Sequence, residues 1–195
     1  MIGLGRRTLK EKRKAKQKKI PAAATKVEEK TVPETSDGRC IIAVRIRGHG
    51  GVAGDIEATL DMLKMTGKYN AVLLYERPDT IGMLKKAKDY ITWGELEKST
   101  LSMLLEKRCR PEGAKELTPK HLKEKLQIPS VEKLAEAIDR KEITLNRLRE
   151  AGIRLVFRLH PPRGGFKGPT KRSFGDGGEL GYRGAEISQL ISRMI

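Results

Sequence analysis

The sequence predicts an α+β domain that follows a basic N-terminal segment. Two kinds of pattern support this fold class: segments in which apolar residues alternate with other residues, as in strands, and segments in which they recur every three or four residues, as in amphipathic helices. Along the chain these segments follow the order β-α-β-α-β, then several helices, then a strand and a last helix. This order is typical of an α+β domain.

Four segments are predicted to be strands: residues 40–47, 71–75, 90–93 and 153–159. In the first, Ile42, Val44 and Ile46 share one face, while Arg45 and Arg47 lie on the opposite face. This alternation predicts a strand with one buried face and one face toward solvent. The fourth strand alternates in the same way, with arginines between apolar residues.

Helices are predicted between and after these strands. They cover residues 55–65, 79–88, 100–108, a segment from Thr118 onward, 131–138, 145–150 and the C-terminal stretch that contains Ile187, Leu190, Ile191 and Met194. Asp79 and Thr118 are suitable N-caps, and Pro119 suits the first helical position. Gly67 and Gly152 are natural helix ends.

Residues 1–38 are predicted to be a basic extension, disordered in isolation, and residues 39–195 a single domain with a helical insertion at 97–152. The extension carries 11 basic and 5 acidic residues and has no apolar period. Too little apolar surface is present to offset the entropy of ordering it. The basic residues that are candidates for nucleic-acid contact here include Arg6, Arg7, Lys10, Lys12, Arg13 and Lys14. A solubilising or linker tail is the alternative.

The charge of the chain points to a polyanionic partner. Its 195 residues carry a formal net charge of +16, and the usual counter-charge for such a protein is nucleic acid phosphate, with an anionic membrane surface as the lesser option. Aromatic residues make up only 4%, which argues against a binder built on stacked bases. No apolar run is long enough to cross a bilayer, and Cys40 and Cys109 have no metal spacing. We expect two reduced thiols in a cytoplasmic protein.

The stretch from Arg154 to Arg172 is the strongest candidate for binding. It carries six basic residues and no acidic one, and such a cluster repels itself unless a polyanion is near. Pro161 and Pro162 stiffen its entry, and Gly164 and Gly165 leave room for a phosphate against the main chain. A solvated surface loop is the alternative. Arg45 and Arg47 would extend this surface if the first and fourth strands were neighbours.

The turn Gly48-His-Gly-Gly-Val-Ala53 offers a different hypothesis, a nucleotide-binding enzyme. It fits G-x-G-x-x-G/A between a strand and a helix. The strand before it argues against this, because the first strand of such a fold is buried on both faces and Arg45 and Arg47 would then be interior charges. The histidines are scattered, so catalytic groups are sparse. We therefore predict no enzymatic activity, no cofactor and no metal.

Several segments together resemble one known family. They are Cys40–Gly48, Asp55–Leu63, Tyr90–Gly94, the Leu159-His-Pro-Pro-Arg-Gly-Gly165 loop and Phe174-Gly-Asp-Gly-Gly-Glu-Leu-Gly181. These resemble the archaeal branch of the large-subunit ribosomal protein family called L-thirty, whose eukaryotic counterpart is L-seven. The resemblance covers about residues 39–195. An extension of about 38 residues before the first strand departs from the archaeal members, and it is a feature of the eukaryotic branch.

The resemblance implies a fold and a role. It implies a small antiparallel sheet with two helices on one face, a helical insertion, and contacts with large-subunit rRNA through the open sheet face and the basic loops. It implies a structural, non-catalytic role in the large subunit, beside neighbouring ribosomal proteins and without membrane or small-molecule substrate. The residues of the folded part that we expect to contact RNA are Arg45, Arg47, Arg154, Arg158, His160, Arg163, Gly164, Gly165, Lys167, Lys171 and Arg172. An assembly factor that binds pre-rRNA is the closest alternative.

Deleting residues 1–38 should leave the fold intact and weaken attachment to rRNA. The extension has no core-forming pattern, so we expect little change in melting temperature. It carries 11 basic residues, so the dependence of affinity on salt should become less steep. Thermal melts and binding at several salt concentrations check this, and a deletion that unfolds the domain would show the boundary to be misplaced.

Overall fold

The structure is a computed structural model that describes residues 38–111, Leu122 and residues 125–195. The strands are β1 (Cys40–Arg45), β2 (Asn70–Tyr75), β3 (Ile91–Glu95), β4 (Arg110–Pro111), β5 (Ile153–Arg154), β6 (Val156–Arg158) and β7 (Gly181–Tyr182). The helices are α1 (Gly54–Met62), α2 (Pro78–Lys86), α3 (Lys98–Arg108), α4 (Val131–Asp139), α5 (Leu145–Glu150) and α6 (Ile187–Met194). Single 3₁₀ turns lie at Phe174–Asp176 and Gly184–Glu186.

Five strands form the main sheet in the order β6-β2-β1-β3-β7. The first three pairs are antiparallel, and only the edge pair of β3 with β7 is parallel. Strands β4 and β5 form a separate antiparallel ribbon of two residue pairs. The α+β class is thereby confirmed, with a mixed sheet rather than the purely antiparallel one that the resemblance implies.

Helices cover both faces of this sheet. Helices α1 and α2 pack on one face, where Ile41 and Ala43 meet Leu60 and Leu84. Helices α3 to α6 pack on the other, against Ile42 and the strands beside it. In α6 the residues Ile187, Leu190, Ile191 and Met194 are all buried, and each such side chain contributes about 1.5–3 kcal/mol relative to exposure. The face of β1 with Arg45, which the alternation predicted to face solvent, is thus covered by α1 and α2, and the open face that the resemblance implies is covered by the C-terminal half of the chain.

The local patterns located most of the elements. The first three strands agree with the predicted segments within two residues at each end, and Ser130 caps α4 by accepting from the Lys133 amide at 3.3 Å. The fourth predicted strand is split into β5 and β6, which pair with different partners. The helix predicted from Thr118 begins outside the described residues. Among the helices of the described ranges, none is long and apolar enough to cross a membrane.

Arg45 departs most from expectation. The residue is fully buried, and its guanidinium donates to the carbonyl oxygens of Arg47 at 2.9 Å, Met65 at 2.8 Å and Gly48 at 3.2 Å. These oxygens belong to the loop that follows β1 and to the loop that follows α1. The Arg45 side chain therefore holds these two loops together. Burial lowers the pKa of Arg45 from its usual range, while Glu57 and Asp61 favour the charged form.

This arrangement changes the argument about the glycine-rich turn. We expected an interior arginine to exclude a two-sided sheet, and that reasoning was wrong, because backbone carbonyls satisfy the buried guanidinium. The nucleotide-binding alternative fails for another reason. A dinucleotide site needs parallel β-α-β units, whereas β1 pairs antiparallel with both β2 and β3.

Both cysteines are free, as predicted. Burial raises the pKa of Cys40 and of Cys109 to about 12, with the Asp139 carboxylate as a further cause at Cys40. Each sulfur is therefore held as the unreactive thiol at neutral pH.

Replacing Arg45 with methionine should destabilise the domain by about 2–4 kcal/mol, because buried carbonyl oxygens lose their donors. Arg47→Met is the matched control. Arg47 is half-buried, donates to the Asp89 carbonyl at 3.1 Å and lies over the Tyr90 ring, so we expect a loss of about 1 kcal/mol or less. Urea unfolding of both variants measures the difference, and equal losses would contradict the structural role of Arg45.

Candidate nucleic-acid interface

The loop after β6 is fixed at its start by the C-terminal helix. The amide of His160 donates to the Met194 carbonyl at 3.0 Å, and the amide of Arg163 donates to the Arg193 carbonyl at 2.9 Å. The Arg193 guanidinium donates back to the carbonyl oxygens of Arg163, at 2.9 and 3.1 Å, and of Gly165. Both the amides and the carbonyl oxygens of this segment are therefore hydrogen-bonded to the last turn of α6, although the segment lies outside any strand or helix.

A tight turn presents Arg163 to solvent. The amide of Gly165 donates to the Pro162 carbonyl at 2.9 Å, and Pro162 is buried. Gly164 and Gly165 both have φ of 75°, which confirms that these positions need a conformation that side chains with a Cβ rarely adopt. Arg193 holds the backbone of this turn, and the Arg163 side chain is exposed at its surface.

A buried ion pair closes the second half of the loop. The side chains of Glu179 and Arg183 are 4% and 8% exposed, and they are in direct contact. The other carboxylate oxygen of Glu179 accepts from the Gly168 amide at 2.8 Å. Arg183 also lies 4.6 Å from the Phe174 ring centroid and donates its amide to the Trp93 carbonyl at 2.9 Å. The pair therefore fastens residues 168–183 to the edge of the sheet at β3.

Close backbone approach shapes the tip of this segment. A Cβ added at Gly178 would overlap the Arg172 carbonyl oxygen, which accepts from the amides of Glu179 and Leu180. Lys171 and Arg172 are exposed and line an open cavity of about 580 Å³ together with Lys88. Arg47 lies nearby, since it donates to the carbonyl of Asp89, which also lines this cavity.

Three of the predicted residues lie in a second cavity. Arg154, Arg158 and His160 are exposed, and they line a cavity of about 310 Å³. Arg108 and Arg110 line the same cavity, although they are not among the residues that the sequence predicts to bind RNA. Nothing in the segment Arg108-Cys-Arg110 marks these arginines as binding residues. Only the pairing of β4 with β5 brings them to the cavity.

The remaining predicted residues have different positions. Lys167 is exposed beside the Glu179–Arg183 pair, in a third cavity. Arg45 is inside the fold with its donors engaged, so it is absent from the surface that RNA would meet. The basic sheet face that required β1 beside the fourth strand does not form, because β2 lies between β1 and β6. The six candidates of the N-terminal extension, Arg6, Arg7, Lys10, Lys12, Arg13 and Lys14, lie outside the described residues.

The described surface thus offers cationic groups in three places and orders the backbone beneath them. Arg163 lies in the turn with Gly164 and Gly165, and Lys171 and Arg172 line the cavity of about 580 Å³. Arg154 and Arg158 line the cavity of about 310 Å³ beside β6. Guanidinium groups held in this way suit the oxygens of phosphates, to which they donate paired hydrogen bonds.

Comparison with curated proteins gives close relatives, while no family model matches the chain. The protein named large ribosomal subunit protein uL30 of Methanosphaera stadtmanae is 46% identical over 152 residues, which cover 78% of this chain and 97% of the relative. The uL30 of Ignicoccus hospitalis is 44% identical, covering 79% and 96%. The uL30 of Hyperthermus butylicus is 42% identical over 180 residues, covering 89% and 99%.

These relatives are all proteins of the large ribosomal subunit. At such identity over nearly their whole length, the chain belongs to their family, uL30. The resemblance drawn from the motifs is confirmed.

The match with the Hyperthermus protein corrects one expectation. Residues 39–195 make up about four fifths of this chain, so a match that covers 89% of it extends into the N-terminal segment. At least this archaeal relative therefore also has sequence before the first strand, whereas the Methanosphaera and Ignicoccus proteins match 78–79% of the chain over 96–97% of their own length.

Replacing Arg193 with methionine should loosen the loop without unfolding the domain. The carbonyls of Arg163 and Gly165 would lose their donor, so amide hydrogen exchange in residues 161–168 should accelerate while exchange in β1 stays unchanged. Arg147→Met, on the exposed face of α5, is the matched control and should leave the loop's exchange as it is. Unchanged exchange in Arg193→Met would show that other contacts hold the loop.

Proposed function

We propose that this protein is a structural constituent of the large ribosomal subunit and binds large-subunit rRNA with the loop that follows β6. The observation that carries the proposal is the arrangement of that loop. Its backbone is held by Arg193 and by the Glu179–Arg183 pair, while Arg163, Lys171 and Arg172 remain exposed. The family names given to the relatives agree with this role.

An ordered loop gains more from each phosphate contact than a flexible one. A flexible basic loop would lose conformational entropy when it binds, whereas this loop has lost most of that entropy on folding. Gly164 and Gly165, which the positive φ of this turn favours, also carry no Cβ, and the space where a Cβ would stand at Gly165 is open to 4 Å. A nucleic acid backbone can approach the main chain there.

The charge distribution supports a polyanion as partner. Residues 154–172 carry six basic and no acidic residues. Neutralising phosphates with such residues releases counterions, so log K should fall linearly with log salt at about −0.9 per contact on a duplex and about −0.7 on a single strand. Neighbouring ribosomal proteins are the other partners we propose, since members of such an assembly meet one another through the surfaces that RNA leaves free.

The test compares Arg163 variants of the full chain for affinity to large-subunit rRNA fragments at one fixed salt. Arg163→Lys keeps the charge but replaces the planar fork with a single point donor, so we expect a loss of about 1–2 kcal/mol. Arg77→Ala removes an exposed arginine at the start of α2 and should cost clearly less than Arg163→Ala.

Two results would contradict the proposal. A silent Arg163→Lys, together with equal losses in the two alanine variants, would reduce the loop to diffuse charge. An affinity that is nearly independent of salt would refute phosphate contacts altogether. Retention in mature large subunits through a high-salt wash separates a resident structural protein from an assembly factor, which would be removed.

A further inference from the structure

A cavity beside β6 concentrates arginines from distant parts of the chain. Its lining is Arg108, Arg110, Arg154, Val156, Arg158, Leu159 and His160, and among these described residues none is acidic. The volume is about 310 Å³, the space of about ten water molecules. None of the four arginines takes part in the ion pairs formed among the described residues.

The strand pattern explains why the cations converge. Leu155, Phe157 and Leu159 are buried, so the alternate residues Arg154, Arg158 and His160 all point away from the core and into the cavity. Arg110 comes from the other strand of the small ribbon, and Arg108 comes from the end of α3.

One pair in this cavity opposes folding. In the antiparallel β4–β5 ribbon Arg110 lies directly opposite Arg154. Like charges in directly opposite positions destabilise a strand pair, and this ribbon contains only two residue pairs. The free protein therefore carries a repulsion that an anion between the two guanidinium groups would convert into attraction.

Arg108 is anchored at the floor of this cavity. Its terminal nitrogen donates to the Ile195 carbonyl oxygen. Its Nε is buried without a hydrogen-bond partner, as is the Nε of Arg183 outside this cavity, so the inference does not depend on it.

We infer that this cavity binds a phosphate group of the RNA backbone, held between Arg110 and Arg154 with Arg158 and His160 at its rim. Phosphate is the anion that fits, since several planar guanidinium forks can share its oxygens. The inference rests on the proposed function, because RNA is its source of phosphate. It assigns a second RNA contact, apart from the Arg163 turn, to which Arg108 at the end of α3 and Arg110 in β4 contribute.

The test uses charge reversal in the full chain. Arg154→Glu places a carboxylate opposite Arg110, so the free protein should keep its fold and melt about 1–2 °C higher. The same variant should bind rRNA fragments at least about tenfold more weakly than Arg77→Glu, the loss expected for a charge-assisted hydrogen bond. Arg77 is the matched control because it is exposed and does not line the cavity. It follows Tyr75 at one end of β2, whereas Arg158 of the cavity pairs with Asn70 at the other end.

A second arm identifies the source of the phosphate. Inorganic phosphate is added to the wild type, Arg154→Glu and Arg77→Glu at constant ionic strength, with chloride as reference. A rise in melting temperature for the wild type and Arg77→Glu, absent in Arg154→Glu, supports the cavity as a phosphate site.

The outcomes separate this inference from the proposed function. Equal rRNA affinities for Arg154→Glu and Arg77→Glu overturn the inference, and the source is then free phosphate if the second arm responds. The proposed function still stands in that case if the wild type binds rRNA with a steep salt dependence. A wild type that binds no rRNA refutes the proposed function, and the second arm then decides alone whether the cavity takes phosphate.

Discussion

The buried contact between Glu179 and Arg183 is the constraint on which the cationic loop depends. Residues 159–180 contain no helix longer than a single 3₁₀ turn, and the backbone hydrogen bonds among them lie mainly in the closely packed part between Arg172 and Leu180. An ion pair in the interior is costly to desolvate and is tolerated when further hydrogen bonds satisfy both partners. Glu179 accepts a further hydrogen bond from Gly168, and Arg183 donates to the Glu179 carbonyl at 3.0 Å and lies over the Phe174 ring, although its buried Nε has no hydrogen-bond partner. The pair thereby connects the loop's middle to the β3 edge and sets where its exposed cations stand.

Arginine has two separate uses in this protein, which a count of charges cannot distinguish. Arg45, Arg183 and Arg193 donate to backbone carbonyls or to a buried carboxylate, and they order loops. Arg154, Arg158 and Arg163 are exposed, and they stand on the loops and strands so ordered. The planar fork suits both uses, since it bridges carbonyl oxygens inside the fold as readily as phosphate oxygens outside it. The net charge of +16 therefore overstates the charge available to a partner.

Sequence patterns located the elements well because β1, β2, β3 and α6 each carry enough apolar residues to show a period. They failed for β4 and β7, since two residues contain no period and only the tertiary pairing creates these strands. The burial of Arg45 was not predicted, because an arginine that alternates with apolar residues gives the same sequence pattern whether its hydrogen bonds go to water or to carbonyl oxygens. For the site, the positive φ at Gly164 was predictable from residue type, whereas the approach of Arg108 and Arg110 to Arg154 depends on contacts across more than forty residues.

The Arg110–Arg154 pair shows where folding and binding conflict. Most local choices in this chain agree with the fold: Ser130 caps its helix, Gly164 and Gly165 occupy positive-φ positions, and the buried guanidinium of Arg45 has carbonyl acceptors. A like-charge pair in a two-residue ribbon contradicts that consistency, and such local contradictions concentrate at functional sites. The conflict disappears once a phosphate supplies the missing charge, so binding would stabilise the β4–β5 ribbon as well as the complex. If the proposed phosphate contact forms, this ribbon is most ordered in the complex with RNA, which suits a protein of the large-subunit family to which the chain belongs.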